Sequence, residues 1–296
     1  MAIFKGSGVA IVTPFKEDFT VDYPRLEELI NFQIEEGTDA IVICGTTGEA
    51  STLTDDEQIE CIAAAVKYTN KRVPVIAGAG SNDTKHGIHL SKRAEEVGAD
   101  ALLLVTPYYN KTSQKGLYEH YKALASSVNI PIILYNVPGR TGMSISPDTA
   151  LKLSEIENIV AIKEASGNIA QVVELAQKCA GKLDLYSGND DQVLPLLSLG
   201  GVGVISVAAN VIPKVMHEMV VTYLEGKHQE SLELQLKYLP FIQALFCDVN
   251  PIPVKAAMGI MGGRFEAGLC RPPLTTLEPE HEEMLSNLMK GYGIRA

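Results

Sequence analysis

Lys163 directly follows the apolar run Ile159-Val160-Ala161-Ile162, and an ammonium taken out of water without a partner is strongly disfavoured. One reading is structural: a snorkelling lysine, or one paired with Glu164. Side chains alternate along a strand, however, so Glu164 is expected on the opposite face. The other reading is a desolvated amine. An exposed lysine at pH 7 is almost wholly protonated, and burial is the usual route to an amine that attacks a carbonyl and forms a Schiff base. Tyr135 closes the preceding apolar run; there it can shuttle protons to and from the amine and carbinolamine, or simply pack its ring. Thr46 and Thr47 sit in Gly45-Thr46-Thr47-Gly48-Glu49. The flanking glycines suit a tight turn with N–H groups free for a carboxylate, and equally an ordinary hydroxyl-capped turn. Arg140, in Pro138-Gly139-Arg140-Thr141-Gly142, can clamp a carboxylate in bidentate fashion or be a solvated surface residue.

Other chemistries find less support. No His pair or carboxylate cluster stands at the ends of the apolar runs, so no metal is expected; His86, His89, His120 and His217 fall on helical patterns. The five cysteines are odd in number and show no CxxC spacing, which argues against a disulfide framework or zinc site and for reduced, mostly buried thiols in a cytoplasmic protein. Cys44, nearest the Thr-Thr segment, reads as packed. With 36 acidic against 25 basic residues the net charge is -11, a poor match to nucleic acid or anionic lipid. No apolar run reaches about 18 residues, so no membrane span is expected, and residues 1–12 do not read as a signal peptide.

Eight short Val- and Ile-rich runs recur: Gly8–Val12, Asp39–Cys44, Val73–Ala77, Ala101–Val105, Ile130–Tyr135, Ile159–Ile162, Leu183–Tyr186 and Val202–Val207. Their length and composition predict parallel strands buried on both faces. Helical stretches lie between them. Thr54 to Glu57 has the spacing of a capping box, Ser146-Pro147 reads as N-cap then N1, and Gly98 follows a helix as its C′ residue. Eight strand–helix units predict an α/β protein, a (β/α)8 TIM barrel, in preference to an open doubly wound sheet, whose glycine-rich fingerprint is missing after the first strand. The barrel is assigned to residues 1–220 and a C-terminal helical extension to 221–296. In such a barrel the active site is built at the C-terminal ends of the strands, where Lys163, Tyr135 and the Thr-Thr segment all fall.

Four motifs occur in order: Gly45-Thr46-Thr47-Gly48-Glu49, Pro107-Tyr108-Tyr109-Asn110, Tyr135-Asn136-Val137-Pro138-Gly139-Arg140-Thr141 and Ile162-Lys163-Glu164-Ala165-Ser166. Together they are specific, though none is alone. Over essentially its whole length the sequence resembles the dihydrodipicolinate synthase and N-acetylneuraminate lyase family of pyruvate-dependent class I aldolases. The resemblance implies that Lys163 forms an imine with pyruvate, with no other cofactor. It implies a proton relay of Tyr135, Thr46 and Tyr109, the last lent across a dimer interface. Thr47 would hold the pyruvate carboxylate, Gly188 and Ile205 would contribute backbone contacts, and Arg140 would receive the carboxylate of L-aspartate 4-semialdehyde. It further implies lysine and diaminopimelate biosynthesis and a homotetramer built as a dimer of dimers. N-acetylneuraminate lyases resemble the chain less, having Ser-Thr for Thr-Thr and lacking the arginine; 2-keto-3-deoxy sugar acid aldolases are a further alternative. A catalytically dead barrel is the non-enzyme alternative, and it predicts loss of Lys163, Tyr135 or Thr46, all of which are present. Family members inhibited by lysine often carry His and Glu where this chain has Asp55, Gln58 and His86. His86 supplies no anion for an ammonium, so feedback is expected to be weak or absent.

Overall fold

The computed structural model describes residues 2–294. All eight apolar runs become strands of one closed parallel barrel: β1 (Gly6–Ala10), β2 (Ala40–Ile43), β3 (Val75–Gly78), β4 (Ala101–Val105), β5 (Ile132–Asn136), β6 (Ile159–Glu164), β7 (Asp184–Ser187) and β8 (Gly203–Ser206), arranged in sequence order with β8 closing on β1. Alternate residues fill the barrel, among them Val42, Leu103, Ile133, Ala161 and Ile205. The others pack against the surrounding helices. The base is plugged where Phe4 stacks on Tyr186 at 4.5 Å and the Tyr186 hydroxyl donates to the Phe4 carbonyl at 2.7 Å.

The strand ends differ from expectation by one or two residues, β3 and β5 each starting two residues later, and two of the shifts bear on the site. β1 lies two residues earlier, because its ladder to β8 begins with Gly6 opposite Gly203. β6 does not stop at Ile162 but continues through Lys163 to Glu164, with Lys163 opposite Tyr135 on one side and Tyr186 on the other. The reactive positions are therefore held in ladders, not in a loop.

The ring helices are α1 (Tyr23–Glu35), α2 (Asp55–Thr69), α3 (Thr84–Glu96), α4 (Gln114–Ala125), then a single turn α5 (Pro138–Thr141), α6 (Pro147–Leu153), α7 (Ile169–Cys179), α8 (Val193–Ser198) and α9 (Pro213–Leu224). The capping box of Thr54 and Glu57 and the Ser146-Pro147 start are both formed. α9 packs on β1 and completes the ring, so a division at residue 220 falls inside it. Beyond it, α10 (His228–Ala244), α11 (Ile252–Met261) and α12 (Pro279–Gly291) pack on one another and on α8 and α9. Among the described residues no helix is long and apolar enough to cross a membrane.

Candidate active site

The pleat of β6 sends its two terminal charges apart. Glu164 points away from the barrel axis, accepting hydrogen bonds from Asn136 Nδ2 at 2.8 Å and from the Ser166 amide at 2.6 Å. Lys163 points inward, 6% exposed, with Nζ 4.4 Å over the Tyr135 ring. Among the described residues it makes no ion pair. The amine faces a chamber of 80 Å³ whose walls include Thr46, Thr47, Tyr135, Arg140 and Gly188. Gly188 is needed for space: a Cβ there would lie 3.0 Å from Lys163 Cε and 2.6 Å from Ala165 Cβ.

The Thr-Thr turn leaves β2 abruptly. Cys44 is left-handed at φ 55°, and its carbonyl sits so close to Gly78 that a Cβ there would meet it at 2.1 Å. Thr13 Oγ1 donates to the Gly48 carbonyl at 2.6 Å and the Glu49 amide to the Thr46 carbonyl at 3.1 Å. From the C-terminal extension, Asn250 Nδ2 donates to Thr47 Oγ1 at 3.0 Å, and the Asn250 carbonyl accepts from Arg140 Nη2 at 3.2 Å. One asparagine thus ties the turn to the arginine across the chamber mouth.

A second cavity of 390 Å³ shares Gly45, Thr46, Tyr135 and Arg140 with the first and is otherwise lined by residues including Asp55, Gln58, His86 and Tyr108. His86 Nε2 lies 3.0 Å from both carboxylate oxygens of Asp55, and Gln58 Nε2 donates to the Gly78 carbonyl at 2.7 Å. Asp55 and His86 are thus engaged with each other and Gln58 with the backbone.

Lys163, Tyr135, Thr46, Thr47, Arg140 and Gly188 are therefore brought together. Two other residues are not. Tyr109 is 93% exposed on a left-handed loop position at φ 69° and lines neither cavity. Ile205 is buried in the barrel interior, and Val207 lines the chamber instead. Sequence reasoning missed Phe246 and Asn250, which wall the chamber from the C-terminal extension. It also missed Asp190, whose buried carboxylate accepts from the Val207 and Ala208 amides at 3.0 and 2.9 Å. Burial raises the Asp190 carboxyl above its ordinary range, against the opposing pull of its hydrogen bonds and of Lys163. The run Asn189-Asp190-Asp191 at a strand end is a signal that could have found it; Phe246 and Asn250 lie in the turn between α10 and α11, far from any strand end, with no such mark.

The profile of the Dihydrodipicolinate synthetase family matches residues 3–291. The chain belongs to this family. It is 60% identical to the 4-hydroxy-tetrahydrodipicolinate synthase of Lachnoclostridium phytofermentans over 99% of this chain and 100% of that one. It is equally 60% identical to the enzyme of that name from Acetivibrio thermocellus, over 99% and 98% of the two chains. The solved chloride-inhibited dihydrodipicolinate synthase of Acinetobacter baumannii, complexed with pyruvate, superposes with a TM-score of 0.95 at 48% identity, covering 98% of this chain and 99% of that one. The family membership makes this chain an aldolase-type synthase on a TIM barrel, as its motifs led one to expect.

Proposed function

We propose that the chain condenses pyruvate with L-aspartate 4-semialdehyde to 4-hydroxy-tetrahydrodipicolinate, a step of lysine and diaminopimelate biosynthesis, through an imine on Lys163. The observation that carries this reading is a buried amine without an acid partner at the wall of a chamber only 80 Å³ in volume. Lys163 Nζ attacks the pyruvate C2 carbonyl; the carbinolamine loses water to give the imine. Tyr135, over whose ring the amine lies, and Thr46 move the protons of these steps. Thr47 and the turn amides take the pyruvate carboxylate. A proton leaves the pyruvate methyl, the enamine attacks the aldehyde carbon, and that oxygen becomes the hydroxyl. The amine of the semialdehyde then displaces Lys163 and closes the ring. The net reaction releases one water and needs no further cofactor.

Arg140, on the rim of both cavities, favours an acceptor with a carboxylate over a sugar, whose hydroxyls need neutral partners. Gly188 and Ile205 are assigned backbone roles at the bound pyruvate. Tyr109 serves the relay of a partner subunit: an exposed aromatic of this size suits an interface, and a homotetramer made of two such dimers is the expected assembly, in the reducing cytoplasm that five free thiols suit. Because Asp55 is already engaged by His86, inhibition by L-lysine is weak; activity halved well below about 1 mM lysine would overturn that.

The deciding experiment is borohydride reduction in the presence of pyruvate, followed by peptide mass spectrometry. A reduced pyruvate adduct on the Lys163 peptide is expected. Folded protein without an adduct would remove the imine, and the non-catalytic barrel would take its place.

A further inference from the structure

Glu49 closes the Thr-Thr turn and has no part in the reaction described above, yet it is one of the most constrained residues in the molecule. It is a left-handed non-glycine residue, at φ 54°, a conformation that persists only when the surroundings hold it. Its side chain runs away from the chamber into the C-terminal extension. There Lys255 Nζ, on α11, lies 2.6 Å from Glu49 Oε1, with the two side chains 3% and 1% exposed. The Arg271 amide donates to Glu49 Oε2 at 2.8 Å. Lys255 is fixed in turn by donating to the Leu269 carbonyl at 3.0 Å and by lying 4.4 Å over the Phe15 ring. Arg271 sits 4.3 Å over the same ring and pairs through two nitrogens with Glu57 at 2.6 and 2.9 Å.

We infer that Glu49 and Lys255 are positioning residues for pyruvate capture. The extension grips the turn at two points: Asn250 holds the Thr47 hydroxyl, and Lys255 holds the carboxylate two residues further on. Between them they set the direction of the Thr47 hydroxyl and of the turn amides. A buried charge pair does this better than an apolar contact, because neither partner can drift without leaving the other unpaired. The inference rests on the reading that this turn receives the pyruvate carboxylate. It goes beyond that reading by making pyruvate affinity depend on a pair outside the chamber.

The test is the double variant Glu49→Gln/Lys255→Met, which removes both charges together and leaves an amide oxygen for the Arg271 N–H. We expect a folded protein whose KM for pyruvate rises about tenfold or more, with kcat at saturating pyruvate and the KM for L-aspartate 4-semialdehyde changed less than about threefold. Trapping of the imine at subsaturating pyruvate slows by the same factor as KM rises. A folded double variant with wild-type pyruvate KM overturns the inference, and so does one in which both substrates weaken equally. Should the double variant not fold, Lys255→Arg, which keeps the charge but displaces it, must show the same selective rise; a wild-type KM there also overturns it. Wild-type enzyme is trapped with pyruvate alongside. If it gives no adduct on Lys163, the functional reading fails; if it does and the variants match it, only the positioning role fails.

Discussion

Lys163 and Lys255 are both buried, and each side-chain nitrogen lies 4.4 Å over an aromatic ring, Tyr135 in one case and Phe15 in the other. They differ in what completes the shell. Lys255 has a carboxylate at 2.6 Å and a carbonyl at 3.0 Å; Lys163 has no carboxylate within 4 Å among the described residues and an open chamber in front of it. Burial alone does not make a lysine reactive. An amine whose hydrogen-bonding capacity is spent on the protein holds the fold, and an amine left with an unfilled neighbour is available to a substrate.

Exchanging each lysine for methionine separates the two roles most sharply. Lys163→Met removes a buried amine with no acid partner and substitutes an apolar side chain of similar length. Turnover is expected to fall by about 10³-fold or more, the borohydride adduct to vanish, and thermal stability to hold or rise. Lys255→Met leaves Glu49 buried without its cation, held only by the Arg271 amide, which costs about 3–5 kcal/mol of stability, readable as a lowered denaturant midpoint. If Lys163→Met is the more destabilised of the two, the contrast drawn here is wrong.

Next in size are the tyrosines. Tyr135→Phe keeps the ring beneath Lys163 and removes the hydroxyl, so kcat should fall by about 10²–10⁴-fold with little change in melting temperature. Tyr109→Phe is predicted to act in the same direction while leaving stability untouched, since the side chain is exposed in the protomer. Unchanged turnover there would take Tyr109 out of the relay.

The smallest effect is in pH dependence around the Lys255 shell. The hydrogen bond from Arg271 holds the Glu57 carboxyl down at about 2. Its folded value is below its unfolded one, so its contribution to stability is complete above about 4.5 and is lost as the pH falls toward 2. Glu57→Gln should therefore lower the neutral plateau and flatten the acid limb, the two profiles converging as the pH falls toward 2. An identical acid limb in wild type and variant would remove this pair from the account.

The same contrast explains what could be read in advance. Lys163 was legible because a charge interrupting Ile159 to Ile162 is anomalous within one short window. Lys255 sits in Ile252-Pro253-Val254-Lys255-Ala256, where a lysine on a helix is ordinary, and its partner is 206 positions away (255 minus 49). No local pattern reports such a pair. Glu49 was visible as part of a motif, but its role depends on that distant partner. Asn250 and Phe246 were missed for the same reason: the extension was read as packing on the barrel, whereas it walls the chamber. The eight strands were legible because both-face burial demands continuous apolar runs. Their first and last residues were not, because registers such as Gly6 opposite Gly203 are set by closure of the barrel.

The clasp on Glu49 also orders events in time. Arg271, which donates to it, follows 222 residues later in the chain. At about 5–20 residues per second of synthesis, roughly 10–45 s separate the appearance of the turn from that of its anchor. A nascent chain can pair its first strands within that interval, and Thr13 can reach the Gly48 carbonyl, but the turn meant to receive pyruvate lacks its grip on Thr47 and Glu49 until the last quarter of the protein arrives. Long-range closure of this kind makes activity a late product of folding, so a chain truncated before α11 would be expected to be inactive even where its strands have formed.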